Sequence, residues 1–198
     1  MIDAIVIRGK GFLLHPVEAF RQSRNDKPVV VFTYFGALLL FNAILSALIA
    51  VVFRMRDMQL FYGMSSELAD LFMFFFMTLA GSFVHTLIFI LIIAAWIHVW
   101  VYLFGGRKGV RQTIKTIMYG NTPDLLLGWI PYIGLIFTLW SLVLSTWGIH
   151  EIQEISTGKA ILAVAFAVIF LLIFIILIVT YLMTSNMVFS AVPVLFGN

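Results

Sequence analysis

The chain has 198 residues, of which 63% are apolar, 16% aromatic and only 11% charged, and its mean hydropathy is +1.10. Soluble domains are roughly half apolar and a quarter charged, so this composition excludes a water-soluble globule and a disordered chain. A formal net charge of +3, from 12 Lys+Arg against 9 Asp+Glu, is too small for a surface that follows nucleic-acid phosphates. We therefore expect a membrane protein with no nucleic-acid partner.

Four runs of the sequence contain no Asp, Glu, Lys or Arg, and each reaches the roughly 20 residues that a helix needs to cross a bilayer. Because water is absent from the hydrocarbon core, each run must satisfy its own backbone hydrogen bonds as a helix. The sequence thus predicts an all-α fold, a polytopic transmembrane helical bundle with four full spans. The runs are residues 28–53, 71–106, 125–150 and 160–198.

The distribution of Lys and Arg predicts the orientation, because loops rich in these residues stay in the cytoplasm. Residues 1–27 hold five of them and the segment 105–120 holds four, whereas the loop 54–70 holds two, offset by three acidic residues. We therefore expect a multi-pass protein of the cell membrane. Its parts are a cytoplasmic N-terminal lead-in (1–27), a membrane domain (28–183) and an apolar C-terminal tail (184–198).

The lead-in and the first span show two different packing patterns. Pro16 is suited to the first turn of a short helix, whose Val17 and Phe20 share a face that we expect to lie on the lipid headgroups. The first span carries a stripe of small and polar residues, a pattern that favours close contact with another helix. The stripe consists of Asn42, Ser46 and Ala50, with Ala43 and Ala47 beside it.

The second run would be about 54 Å long as one helix, which exceeds the bilayer. We expect either a helix that projects outward or a bend near Gly81 and Ser82, with Ser66 as the N-cap. His85 and His98 fall on different faces of a regular helix. Each is therefore expected to be a hydrogen-bonded imidazole rather than half of a metal site.

Residues 107–119 form an amphipathic pattern. Arg107, Arg111 and Lys115 recur every four residues on one stripe, and Val110, Ile114, Ile117 and Met118 form another. A helix of this kind lies in the membrane interface against anionic lipid. We therefore predict that these three basic side chains contact the lipid surface, and that membrane lipids are partners of the protein.

Pro131 interrupts the third run. Proline removes a helical hydrogen bond and kinks or breaks a helix, so 123–148 is either one kinked span or a broken, re-entrant half-helix followed by a short span. After Pro131, a face of small and polar residues must meet protein rather than lipid. Its members are Gly134, Thr138, Ser141, Ser145 and Gly148.

Asp124 borders this run, and an ionisable residue inside a membrane marks a functional site by default. The alternative is an ordinary helix start, with Thr122 as N-cap and Pro123 in the first turn. If Asp124 is functional, its expected companions are Asn121, Tyr119 and Lys115. A partner or solute site would then comprise Asp124, Asn121, Tyr119, Pro131 and Ser141.

Other sets of chemically active residues fall short of a catalytic or metal motif. His150 and Glu154 are four residues apart with Glu151 beside them, but the sequence has no HExxH motif. This stretch is expected to be a solvated loop. We predict no catalytic residues, no metal and no cofactor.

Several short segments occur in a distinctive order and spacing. They are HPVEAF (15–20), GGRKG (105–109), Tyr119 and Pro123, WIPYIG (129–134), GIHEI (148–152) and ISTGKA (155–160). Together they resemble the Yip family, also described as Yip-one domain proteins, over about residues 14–183. The short chain is similar to the prokaryotic branch of that family.

The resemblance implies a helical bundle of about five membrane segments with a cytoplasmic N-terminus. Eukaryotic members are trafficking factors that contact small GTPases and each other. This sequence lacks their long cytoplasmic N-terminal region, so a small-GTPase partner is doubtful here. The resemblance favours a non-enzymatic scaffold or adaptor that associates with itself or with another membrane protein.

Two further hypotheses remain. A transporter or channel for ions or small solutes would use the break at Pro131, Asp124 and the polar face of the third run. An intramembrane enzyme would need a hydrated cavity that holds both His85 and Asp124.

Overall fold

A computed structural model describes residues 2–57 and 68–196, and every described element is helical. The helices are α1 (Ile2–Leu14), α2 (Pro16–Ser23), α3 (Pro28–Asp57), α4 (Leu68–Leu103), α5 (Val110–Gly120), α6 (Thr122–Leu127), α7 (Gly134–Gln153) and α8 (Thr157–Phe196). The prediction of an all-α fold is confirmed.

Four of these helices are long and apolar enough to cross a membrane. They span Pro28–Arg56, Leu68–Leu103, Gly134–Gln153 and Thr157–Thr184, which confirms the predicted number of full spans. α4 is one helix of 36 residues that continues through Gly81 and Ser82, so the chain is not broken there. The proposed N-cap, Ser66, lies outside the described residues.

The region around Pro131 forms a short helix and then a separate span. α6 ends at Leu127, the chain turns through residues 128–133, and α7 begins at Gly134. The alternative of one kinked span is therefore wrong. α6 is only six residues long and lies between α3 and α7.

The lead-in is packed against the bundle. α2 contacts α7, and Phe12 and Phe20 are fully buried. The expectation that Phe20 lies on the headgroups is wrong, because its ring fills a notch above Gly148, where a β-carbon would lie 2.6 Å from Phe20 Cζ. Val17, on the outer side of α2, stays partly exposed.

The small-residue stripes are used inside the molecule. Ala43 and Ala47 of α3 are fully buried, and α3 packs along α4. On α8, Ala163 and Ala167 are buried, and the Ala167 carbonyl accepts a 2.9 Å hydrogen bond from Trp96 Nε1 of α4. Small residues let two helix backbones approach closely, and here that closeness holds one chain together.

α8 continues beyond its predicted end. It runs to Phe196 and so includes the segment that the sequence set apart as a tail. Its first turns pack against α4 and α7, whereas apolar side chains from Ile169 to Met183 are largely exposed. This half of the helix has lipid as its natural surroundings.

Candidate functional site

Polar and charged residues gather where the lead-in meets α5 and α7. We call this region the basic end, and it comprises α1, α2, residues 24–27, residues 104–120 and residues 148–159. All Lys and Arg of the chain except Arg54 and Arg56 belong to it. Its segments are far apart in sequence, so their contacts were not visible in any local pattern.

An aromatic cluster forms the floor of the basic end. Tyr119 of α5 stacks on Phe12 of α1, with ring centroids 4.6 Å apart, and Phe12 meets Phe20 edge-on at 5.0 Å. Tyr34 of α3 lies 5.4 Å from the Tyr119 ring. These rings are buried, and aromatic pairs of this geometry stabilise a core beyond their buried area. The cluster joins four helices at one point.

A carboxylate lies on this cluster. Asp26 accepts a hydrogen bond from the Tyr119 hydroxyl at 2.6 Å and forms an ion pair with Arg8. Arg8 also donates to the Tyr119 hydroxyl at 2.7 Å. Lys115 adds a further positive charge and donates to the Arg24 carbonyl at 2.9 Å. The three groups Arg8, Asp26 and Tyr119 thus satisfy one another, which is the condition for burying polar groups at low cost.

The pKa values of these groups reflect that arrangement. Burial alone would raise the pKa of Asp26, but the hydrogen bonds from Arg8 and Tyr119 outweigh it and hold the pKa below 3.8. Burial, followed by the hydrogen bond to Asp26, raises the pKa of the Tyr119 hydroxyl above its ordinary value. Burial lowers the pKa of Lys115, and the nearby Asp26 charge partly offsets this.

A second ionic group fixes α2 to the end of α7. Glu151 is only 7% exposed and accepts two hydrogen bonds from Arg21, at 3.1 and 3.2 Å. Arg24 donates to the Glu151 carbonyl at 2.7 Å and to the Glu154 carboxylate at 3.0 Å. Glu154 also pairs with Lys108, whose hydrogen bond lowers the pKa of that carboxyl. The expectation of a solvated loop is therefore wrong for Glu151, because α7 continues through Gln153 and buries that side chain.

Gln153 connects the loop before α5 to the bundle. Its side-chain oxygen accepts from the Lys108 N–H at 3.1 Å, and its amide donates to the Gly109 carbonyl at 3.0 Å and to Thr113 at 2.9 Å. Thr113 in turn lies 2.8 Å from His98 Nδ1. The side chain at 153 therefore sets the position of the Gly-rich break that follows α4.

Asp124 lies in the first turn of α6, outside the basic end. Its Oδ1 accepts a 2.6 Å hydrogen bond from Thr138, and its N–H donates to Ser141 Oγ at 3.1 Å. Asn42 Nδ2 approaches the Asp124 carbonyl at 3.3 Å. Side chains of α3 and α7 thus surround this short helix. Of the residues predicted for the site, Ser141 is in direct contact with Asp124.

The predicted companions of Asp124 are placed elsewhere. Tyr119 and Lys115 face Asp26 at the basic end, and Asn121 bonds back to the Ile117 carbonyl at 2.8 Å. Pro131 lies in the turn before α7. The helix-start interpretation is also only partly right, since Thr122 bonds to the Tyr119 carbonyl and to Tyr34 rather than capping α6.

The three basic residues predicted to touch lipid have different surroundings. Arg107 and Arg111 are exposed, and the Arg107 guanidinium lies 3.9 Å from the Tyr102 ring centroid. Lys115 is only 8% exposed, so it does not lie on the membrane surface. Most of α5 is buried between α4 and α7, together with Ile117 and Met118 of the apolar stripe.

The histidines have separate environments. His85 is exposed, and its ring centroid lies 5.8 Å from that of Phe89. The prediction of an imidazole hydrogen-bonded inside the bundle is therefore wrong for His85. His98 contacts Thr113, and His150 Nδ1 lies 2.6 Å from the Ile155 carbonyl. Among residues 2–57 and 68–196, no group of three His, Asp or Glu side chains is placed to hold a metal ion.

Sequence reasoning missed the residues that organise the basic end. Arg8, Asp26 and Glu151 each lie at the edge of an apolar run. A charged residue is expected there simply because the run ends. One signal was present: Arg21 and Arg24 follow the apolar residues of a short helix outside the membrane spans. The apolar face of such a helix must pack against another part of the protein, and acidic residues near the end of a span can pair with its arginines.

Comparison with known proteins identifies the family. The model of the Yip1 domain matches residues 10–179, which includes α2, the break at Pro131 and the packed half of α8. No curated protein and no solved structure matches the chain. With four helices able to span a bilayer, the chain belongs to the Yip family of multi-pass membrane proteins.

Proposed function

We propose that this protein is a non-enzymatic scaffold or adaptor of the cell membrane. The supporting observation is that polar contacts and exposed apolar surfaces occupy different parts of the bundle. At the basic end, Arg21 of α2 pairs with Glu151 of α7, and the Asp26 carboxylate binds Arg8 of α1 and Tyr119 of α5. These contacts join the lead-in, α5 and α7 into one unit. Its long helices α4 and α8 present apolar side chains outward over much of their length. A rigid core with extended lipid-facing surfaces suits a protein that acts by contact with other membrane proteins.

The location of Lys and Arg indicates the orientation of the bundle in the membrane. Nearly all Lys and Arg residues lie at the basic end, and loops with excess Lys and Arg remain in the cytoplasm. We therefore place the N-terminus and the loops at 104–109 and 154–156 in the cytoplasm. Labelling of single cysteines in intact cells tests this: a cysteine at Lys108 should resist a membrane-impermeant reagent until the cells are opened.

Crosslinking tests the scaffold role directly. The sequence has no cysteine, so every introduced cysteine is unique. Positions 43 and 47 are unsuitable because Ala43 and Ala47 are buried within one molecule. We instead choose Ile136 on α7 and Ile173 on α8, which are exposed, with buried Ala163 as the control position.

Self-association predicts dimers from cysteines at Ile136 or Ile173 and none from Ala163. A photo-reactive residue at the same exposed positions would capture a different membrane protein if the role is that of an adaptor. Monomeric behaviour together with the absence of any protein adduct at every outward position of α4, α7 and α8 would contradict the proposal.

A second candidate is a transporter or channel. A groove of about 230 Å³ between α4, α7 and α8 is lined by Asn121, Thr138, Ser141 and Ser145 among apolar residues, and Thr138 bonds to Asp124. Polar groups beside a broken helix often line solute sites. Solute flux into liposomes that is lost in Asp124→Asn would support this function. Equal flux in the wild type and the variant, or no flux at all, would count against it.

A further inference from the structure

A groove opens at the start of the first span, between α3 and α5. Its volume is about 590 Å³, within the range typical of small-molecule sites. The groove is lined by residues 26, 28, 31 and 32 on one side and by residues 111, 112, 114, 115 and 118 of α5 on the other. Because α3 begins at Pro28, the groove lies where the chain enters the bilayer.

One part of the groove is apolar. Val31 and Met118 are buried at its base, Ile114 is partly buried, and Phe32 is half exposed. From these residues α3 continues as an apolar helix that is long enough to span a bilayer. An acyl chain fits such a surface, because covering it removes apolar area from the interface.

The other part is positively charged. Arg111 is exposed and makes no hydrogen bond or ion pair within residues 2–57 and 68–196. Lys115 uses one of its three donors on the Arg24 carbonyl. The one carboxylate in the lining, Asp26, is already paired with Arg8 and Tyr119. A positive charge in the groove therefore remains to be matched.

Gln112 also lines the groove. Its Oε1 atom is buried and has no hydrogen-bond partner in the described part of the chain. Leaving a buried acceptor unpaired is costly, so the amide gains by turning toward the groove when a donor enters it. A molecule that carries both a negative charge and a hydroxyl or ammonium donor suits this combination of an amide and basic residues.

We propose that this groove binds an anionic glycerophospholipid. The phosphate pairs with the exposed Arg111, and the nearby Lys115 charge adds to the attraction. A headgroup hydroxyl or amine donates to Gln112 Oε1 once that amide turns toward the groove, and one acyl chain covers Phe32 and Ile114. The location at the bilayer edge and the joined apolar and basic surfaces favour a lipid over a soluble phosphate ester. This inference stands whether or not the protein acts as a scaffold.

Native mass spectrometry of the full-length detergent-solubilised protein, titrated with phosphatidylglycerol and separately with phosphatidylcholine, tests the proposal. The variant is Arg111→Gln, since that exposed, unpartnered side chain is not needed for folding. Its matched control is Arg107→Gln, which removes the same charge outside the groove. Ile114→Trp is a second variant that fills the groove without changing the charge.

We expect bound phosphatidylglycerol to exceed phosphatidylcholine and to fall at least about fivefold in Arg111→Gln, the change that corresponds to about 1 kcal/mol per basic residue near a membrane surface. Arg107→Gln should bind like the wild type. A photoactivatable phosphatidylglycerol should label residues 28–32 or 110–118, and Ile114→Trp should reduce that labelling.

Three results would overturn the inference. Equal losses in Arg107→Gln and Arg111→Gln would show a diffuse electrostatic attraction rather than a site. Equal binding of the two lipids would remove the role of charge. Displacement by excess glycerol phosphate would show that the groove takes a soluble phosphate ester. If Ile114→Trp does not fold, the comparison of the two arginine variants still decides.

Discussion

The two ends of this bundle are stabilised in different ways. At the basic end, short helices pack tightly, charged residues pair across long sequence separations, and Tyr119 and Glu151 are buried. At the opposite end, α4 from residue 68 to 89 and α8 from residue 169 to 184 carry mainly exposed apolar side chains. Helices at the basic end pack against one another, whereas the apolar side chains at the opposite end face the surrounding membrane.

This difference shows where the specificity of the fold lies. Lipid tails are as apolar as leucine, so no hydrophobic force drives the distal halves of the helices together. Hydrogen bonds and close backbone contacts must therefore define how the helices are arranged, and the ion pairs found among the described residues lie at the basic end. Substitutions at the two ends should differ accordingly, and the following predictions test that difference in decreasing order of effect.

The largest effect is expected for Gly120→Ala. A β-carbon at this position would lie 2.9 Å from Ser145 Cα and 3.0 Å from Ser145 N, so α5 and α7 would have to separate. Overpacking of this kind costs about 1–3 kcal/mol. Thermal unfolding in detergent, followed by tryptophan fluorescence, should show a lowered midpoint.

Gly81→Ala is the matched control at the distal end. Nothing lies within 4 Å of a β-carbon there, and alanine is favoured over glycine in a helix by up to about 1 kcal/mol. Its midpoint should be unchanged or slightly raised. Equal destabilisation by the two substitutions would remove the distinction between the ends.

Loss of the buried carboxylate should release the lead-in. In Glu151→Gln the two hydrogen bonds from Arg21 lose their charged acceptor, and Arg24 keeps only its bonds to the carbonyl and to Glu154. We expect trypsin to cleave after Arg21 or Arg24 several-fold faster, because α2 must open for cleavage. Glu18→Gln removes the same charge from an exposed position without an ion pair in the described residues and should leave the rate unchanged.

Acid should loosen the lead-in through Asp26. Because the pKa of Asp26 is lower in the folded protein than its ordinary 3.8, its contribution to stability is complete above that pH and is lost as the pH falls through the folded-state pKa. Amide hydrogen exchange of α2, corrected for the intrinsic effect of pH, should accelerate below about pH 4. Asp26→Asn should already exchange faster at neutral pH and show less acid sensitivity.

The smallest effects compare the same substitution at the two ends. Ile152→Val removes one methylene group from a residue that is 2% exposed at the basic end, which typically costs about 0.5–1.5 kcal/mol. Ile176→Val removes it from an exposed residue of α8 and should change stability by less than about 0.5 kcal/mol. A cost at position 176 equal to that at 152 would indicate that the distal part of α8 has a protein partner.

Prediction from sequence succeeded where one physical term dominates. The spans could be located because a long uncharged run has few stable environments other than lipid. The break at Pro131 was identifiable because proline removes a backbone donor. The Yip resemblance rested on short motifs in order, and the family match over residues 10–179 confirms it.

Prediction failed where a residue has two reasonable partners. Lys115 has helical spacing suited to lipid contact, yet it turns inward to the Arg24 carbonyl because α5 is covered on several sides. Asp124 was expected near Tyr119, but α7 brings Thr138 and Ser141 to it instead. Helical periodicity gives the faces of one helix and does not say which neighbour covers them.

The sequence by itself determined the helical class, the four membrane-spanning segments, the position of the break and the family, since each depends on local composition or motif order. Only the tertiary structure decided that the lead-in docks on α5 and α7, that Asp26 and the buried Glu151 form ion pairs with it, and that the alanine stripes are used internally. These features depend on contacts between residues up to about 130 positions apart, and such contacts exist only after the helices have packed.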